Sequence, residues 1–241
     1  MLYAQYNLDK SIPEQFLIYL QNAITGDFGD SMTRKGTAVT TIIARCLPAT
    51  MKLGLVAFII AITVGVTLGI VAAFTKRKWV ENLVMFVATI GISVPSFLYA
   101  MLLMIVFGVI LGWLPIIGLK TPLHYIMPAF SLALYPISMI TRLVRSSMKE
   151  VMKQDYIVLA RSKGTPMIKV ILGHALKNCL IPVVTYAGPL LAFLITGSFV
   201  IESLFSIPGI GSEFVNSVTN RDYTMIMALT ILFGSFIIIV N

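Results

Sequence analysis

The sequence predicts an all-α integral membrane protein, with five spanning helices in this chain. Three observations carry that expectation. Hydrophobic residues fill 58% of the 241 positions and charged residues only 12%, against about 45–50% and about 25% in soluble domains. Too little polar surface remains to cover a water-soluble globule, and mean hydropathy is +0.92. Five segments approach or exceed the roughly 20 apolar residues that a spanning helix needs. The net charge of +8 is confined to the linkers of one side.

The chain opens with a polar arm, residues 1–46, expected outside the membrane. The first span is read at Leu47–Phe74. The second, Leu83–Leu111, is long and interrupted by Pro95; the third, His124–Ile140, is short and carries Pro128 and Pro136. The fourth, Leu180–Val200, contains Pro182 and Pro189, and the last is Thr224–Val240. Proline is tolerated in a span where neighbouring helices or a wet cavity satisfy the freed carbonyls, so these spans suit a bundle around a polar path. Residues 47–241 thus form one membrane domain, with a basic loop at 141–178 and an external loop at 201–223. Gly65-x-x-x-Gly69 and Gly108-x-x-x-Gly112 read as helix-packing contacts.

Charge sets the orientation. The linker after the first span holds Lys76, Arg77 and Lys78, followed by Glu81. The 141–178 loop holds Arg142, Arg145, Lys149, Lys153, Arg161, Lys163, Lys169 and Lys177 against Glu150 and Asp155. That side carries eleven positive and three negative residues, the other side seven of each. By the positive-inside rule the basic face is cytoplasmic, which leaves residue 1 external and the C-terminus inside. The charge bias needs no nucleic acid to explain it. "MLYAQYNLDK" has no signal-peptide pattern, so a preceding span is expected to bring the arm across, for a six-helix core. Cys46 and Cys179 fall near opposite faces, which argues against a disulfide between them.

Within the basic loop, "VLARSKG" places good helix formers before Gly164, a natural helix stop, and Pro166 opens a second helical run. This helix–Gly–helix elbow suits a docking surface for a partner. A solvated loop that is positive only for topology fits the residues equally well. The chain has no G-x-x-x-x-G-K-[ST] phosphate loop, so it cannot hydrolyse ATP by that route. It also has no H-E-x-x-H and no clustered Cys/His pattern. No charged residue is expected deep in a span, which argues against the ion relay of a secondary transporter. Gly91–Ser93 matches the Gly-x-Ser of rhomboid-type proteases, but His124 and His174 lie outside the spans, so an intramembrane enzyme is disfavoured.

The elbow resembles the EAA loop of ATP-binding-cassette importer permeases. Of that general pattern only Ala160 and Gly164 fit, since Val158-Leu159-Ala160 replaces Glu-Ala-Ala. "DYIVLARSKG" and "HALKNCLIPVVTY" instead resemble the peptide-permease subgroup, as do "GDFGDSM", "GISVPSF", "TRLVRSSMKEV" and "LITGSFVIESLFSIPGIGSEFVNSVTNRDYTMI". The ordered likeness runs from about Tyr6 to the end and is to the first of the two permease subunits of an oligopeptide or dipeptide importer. Permeases for nickel, metallophores or glutathione are the alternative within the family.

The resemblance implies a bacterial plasma-membrane subunit that catalyses nothing itself. Its implied partners are a second homologous permease in a heterodimer, two ATPase subunits that bind ATP and Mg, an external peptide-binding protein, the peptide and the lipid bilayer. This chain itself would bind no cofactor and no metal. ATPase contact is expected at Asp155, Tyr156, Ala160, Arg161, Lys163 and Gly164. Ser93, Ser96, Thr196, Gly197, Ser198, Pro208, Gly209 and Gly211 are candidates for the translocation path or an external gate.

Overall fold

The computed structural model describes residues 10–240. They are nearly all helical, with one isolated antiparallel bridge, Asp30 to Ala38. In the external arm, α1 (Ile12–Ile24) starts with a capping box between Ser11 and Glu14 and has proline in its first turn. The first span is α2 (Val39–Phe74), which starts eight residues before the expected boundary and contains Pro48. The second is broken. α3 (Lys78–Ser93) and α4 (Ser96–Leu103), continued by a π-helix at Met104–Ile110, meet at Val94–Pro95 with axes 105° apart. Proline lacks the amide hydrogen and restricts the residue before it, so the helix ends there. The sequence reads this break as an interruption in one straight crossing; the angle makes it two segments.

The third span, α5 (Leu123–Val151), extends well past Ile140. Residues 141–151, read from their charges as loop, are its last turns: Thr141, Val144 and Met148 are buried, while Arg142 and Glu150 face out. The segment expected to couple follows as α6 (Asp155–Ser162). The chain then returns through α7 (Met167–Val170), a π-turn at Ile171–Ala175 and α8 (Leu176–Cys179) into α9 (Ile181–Ile195). α10 (Phe199–Leu204) and α11 (Ile210–Thr219) form the external elbow, and α12 (Tyr223–Val240) ends the described chain. By length and composition three helical stretches can cross a membrane, 39–74, 123–151 and 181–204, with the bent pair as a fourth; α12 is a shorter apolar helix.

The bundle is built on α2 against α5. A Cβ on Gly65 would sit 2.8 Å from the Ile140 Cβ, and one on Gly69 2.5 Å from the Val144 Cβ. Thr141 Oγ1 donates to the Gly65 carbonyl at 3.3 Å across the same contact. Small residues thus let two backbones close up, which is how helices associate where lipid supplies no hydrophobic drive. The second glycine pair divides: Gly108 meets Ile116, while Gly112 adopts φ +63° in a turn with nothing within 4 Å of an added Cβ. Cys46 and Cys179 are both free and buried.

Candidate coupling elbow and external nest

The elbow at the basic end is rooted from below. Ile157 is fully buried and joins Val144, Met148, Val170 and Ala175 in the main core cluster. Asp155 sits in the first turn of α6, where a carboxylate complements the helix dipole. The Tyr156 hydroxyl accepts from Asn178 Nδ2 at 2.7 Å, tying α6 to the returning helix. Ala160 is half-buried against the core. Arg161 and Lys163 are exposed and form no ion pair among the described residues. Gly164 takes φ +76°; its amide donates to the Arg161 carbonyl at 2.9 Å, and Thr165 N donates to the Ala160 carbonyl at 3.3 Å. This is a left-handed helix stop that glycine adopts without strain.

The sequence reading missed the apolar surface of this elbow. Val158 and Leu159 are 52% and 57% exposed, and Ile168 and Leu172 are 63% and 61% exposed. Interspersed with Arg161, Lys163 and Lys169, they form a bare apolar patch with a basic rim, the kind of surface that marks a protein contact. The signal was present in "IVLARS": of three successive apolar residues, helical geometry buries one and leaves two outside.

At the other end, the candidate gate residues surround a carboxylate. Glu202 is fully buried, although it was assigned to the external loop and no charge was expected deep in a span. It lies within the apolar 181–204 stretch. Its oxygens accept from Thr50 Oγ1 at 3.0 Å and from the Ser212 amide at 3.1 Å. Thr50 Oγ1 in turn accepts from the Ile210 amide at 2.9 Å. A Cβ on Gly197 would lie 2.5 Å from Glu202 Oε1, one on Gly211 2.9 Å from Oε2, and one on Gly209 would overlap both Oε2 and Thr50 Oγ1. Glycine at these three positions lets the backbone close on the buried Glu202 side chain, which a Cβ would strike. Gly197 also needs its φ of +82°. Pro208 is exposed.

The remaining candidates are occupied locally. Thr196 Oγ1 donates to the Phe193 carbonyl at 2.9 Å, and the Ser198 hydroxyl caps α10 by accepting from Ile201 N at 3.3 Å. Ser93 Oγ donates to the Thr89 carbonyl at 2.9 Å. Ser96 begins the helix after the bend, and that helix packs against α10.

A second polar cluster staples the external arm. Asp222 accepts from the Ser31 hydroxyl, from Thr33 Oγ1 at 2.9 Å, from Met32 N at 3.1 Å and from Thr224 Oγ1 at 3.0 Å. Burial pushes its carboxyl up, but these donors outweigh it and hold the group at about 2. Arg34 pairs with Glu213 at 2.8 Å beside it. A cavity of about 740 Å³ lies under this arm between α1 and the start of α12. There Tyr19 keeps a buried hydroxyl without a partner among the described residues, and burial pushes it up to about 12.

Comparison with known proteins supplies the family. Residues 65–241 match the model of the binding-protein-dependent transport system inner membrane component. The oligopeptide transport system permease protein OppB of Haemophilus influenzae is 41% identical over 240 residues, 99% of this chain and 78% of that protein. The dipeptide transport system permease protein DppB of Bacillus subtilis is 42% identical over 238 residues, 99% of this chain and 77% of that one. OppB of Escherichia coli K12 is 43% identical over 238 residues, covering 96% and 76%. Among solved structures, the MetNI methionine ABC transporter in inward-facing conformations aligns with a TM-score of 0.68 at 17% identity, over 83% of this chain and 91% of that one. An amino acid ABC transporter with histidines aligns at 0.64 and 14%, over 83% and 90%. These two likenesses show the helical permease fold. With the family match and relatives above 40% identity across nearly its whole length, the chain belongs to the inner-membrane permease components of ABC transporters, in the oligopeptide and dipeptide permease group.

Proposed function

We propose that this chain is the first of two permease subunits of an ATP-driven peptide importer, lining half of the path and catalysing no reaction itself. The observation that carries the coupling role is the elbow around Gly164: an apolar patch with a basic rim, rigidly rooted through Ile157. Such a surface is of the kind that marks a protein contact. Its cover is one of two ATPase subunits, each holding ATP and Mg. Asp155, Tyr156, Ala160, Arg161, Lys163 and Gly164 form the docking segment, with Val158, Leu159, Ile168 and Leu172 as its apolar anchors. The positive-inside rule puts this end in the cytoplasm and the Glu202 nest outside, where an external peptide-binding protein delivers the peptide. A second, homologous permease completes the path.

ATP-driven closure of the ATPases pushes on the elbow, and rigid-body rocking of the helices opens the path on alternate sides. Peptide is favoured over nickel, metallophore or glutathione because the relatives above are oligopeptide and dipeptide permeases. The test is a cysteine at Leu159 in the assembled transporter. It should crosslink to an ATPase subunit, and peptide should accumulate only with ATP. A crosslink-free elbow, or uptake that follows an ion gradient with the ATPases disabled, defeats the reading.

A further inference from the structure

We propose that the pocket between α3 and α5 at the basic border of the bundle binds the phosphodiester headgroup of an anionic phospholipid. It measures about 450 Å³ and is lined by Met85, Met139, Arg142, Leu143, Arg145 and Ser146. Arg142, Arg145 and Ser146 stand at i, i+3 and i+4 on α5, so they share one helix face. Their positions differ in kind. Arg145 is already anchored, its Nε and Nη2 donating to Glu81 Oε1 at 2.9 and 2.5 Å, and Lys149 Nζ donates to the same oxygen. Arg142 is exposed and has no carboxylate within 4 Å among the described residues. Arg142 therefore keeps its planar, paired N–H donors free, which suits a phosphate oxygen pair, while Arg145, its Nε–Nη2 edge held by Glu81, adds positive charge, with the Ser146 hydroxyl beside them.

The rest of the pocket selects a lipid over a soluble phosphate. Met85, Met139 and Leu143 give it an apolar floor, whereas a site for a small hydrated anion would be polar throughout. On α3, Phe86, next to Met85, is 63% exposed, and Trp79 is 62% exposed about two turns nearer the start of the helix. Exposed apolar side chains capped by a tryptophan mark the passage from hydrocarbon to headgroup. An acyl chain can therefore lie along α3 while its headgroup reaches the arginines. Lys76, Arg77 and Lys78 lead into the same helix and lie outside the pocket lining. Basic pockets between membrane helices are a known form of headgroup site.

The experiment uses the purified transporter complex in detergent and counts retained lipid by native mass spectrometry. Phosphatidylglycerol, phosphatidylcholine and inorganic phosphate are added in separate arms. Phosphatidylglycerol should be retained, phosphatidylcholine should not, and phosphate at equal concentration should not displace it. Arg142→Gln should lower occupancy about tenfold, the scale of one lost charge-assisted contact. Met139→Trp, which fills the floor and keeps every charge, should lower it as much. Lys76→Gln, with the same charge change outside the pocket, should leave it unchanged. Retention unaltered in Arg142→Gln overturns the proposal. So does equal loss in Lys76→Gln, which means general charge, or displacement by inorganic phosphate, which means a soluble anion. A crosslink from Arg142→Cys to another membrane subunit also overturns it, since a protein then fills the pocket. All four readouts are independent of transport.

Discussion

Gly164 separates two reasons for a glycine in the coupling segment. Its φ is +76°, and an added Cβ would meet nothing within 4 Å in this chain. Any loss on substitution by a larger residue therefore comes from backbone strain or from a partner, since the chain's own packing leaves space. Left-handed backbone costs a residue with a Cβ about 1–2 kcal/mol, which lowers the ratio of native to distorted elbow by a factor of about 5–30. The bent state then gives way to one in which α6 and α7 are wrongly spaced. A β-branched side chain pays the most and asparagine the least, because asparagine adopts this conformation more readily. Gly164→Val should cut peptide uptake and peptide-stimulated ATPase activity by up to about thirtyfold, with membrane levels unchanged. Gly164→Asn should retain most of both activities. The assay is uptake into vesicles alongside ATPase turnover, normalised to the subunit in the membrane. If Gly164→Asn fails as badly as Gly164→Val, the position is needed for contact with a partner and the strain argument is wrong. If Gly164→Val transports normally, the elbow is not a coupling element.

Three further outcomes follow from particular contacts. Thr50→Val removes a donor to Glu202 and leaves the Ile210 amide without its acceptor. It should lower the stability of the purified subunit by about 1–3 kcal/mol, seen in thermal unfolding; Thr50→Ser should restore it. Gly65→Ile forces Cβ into Ile140, so the α2–α5 contact should fail and the subunit should be degraded rather than merely inactive. Asp222 has its carboxyl held at about 2, below the roughly 3.9 of an unfolded chain. Its grip on the arm is therefore complete above about pH 4 and fades as pH falls from about 4 towards 2. Protease clipping of the arm should rise over that window in the wild type. In Asp222→Asn the arm should already be open to clipping at pH 7.

Local chemistry was legible in the sequence, and long-range polar pairing was not. Pro95 marked the break in the second span because proline ends a helix wherever it falls, but the 105° between the halves depends on what α4 packs against. Gly164 was readable as a helix stop because its conformation is set within four residues. The last turns of α5 were missed since their arginines and lysines looked like loop. The periodicity of Val144 and Met148 against Arg142 and Arg145 was the available signal. Gly197, Gly209 and Gly211 looked like a turn or a gate because glycine serves both. Their neighbour, the Glu202 carboxylate, sits five residues after the first and seven before the second, and its other partner, Thr50, lies more than 150 positions upstream. No period of 3.6 residues encodes that meeting. The same holds for Asp222 and Ser31, which join the two ends of the chain.

What links the elbow to the nest is one continuous packing. Ile157, Val170, Ala175, Cys179, Val183, Leu190, Leu194, Ile201 and Phe205 all belong to the same buried cluster, along with Leu53 and Val144 from α2 and α5. Close-packed interiors transmit displacement because they cannot be compressed. A push at Ile157 thus has a path through the returning helix to Ile201, next to Glu202. The π-turn at Ile171–Ala175 interrupts that route in the only stretch of it that is wound off the α-helical register among the described residues, and Gly173 there has open space around it. Buried hydrogen bonds suit the nest: a surface ion pair is worth little, while Glu202, Thr50 and the Ile210 and Ser212 amides bind α10 and α11 to α2.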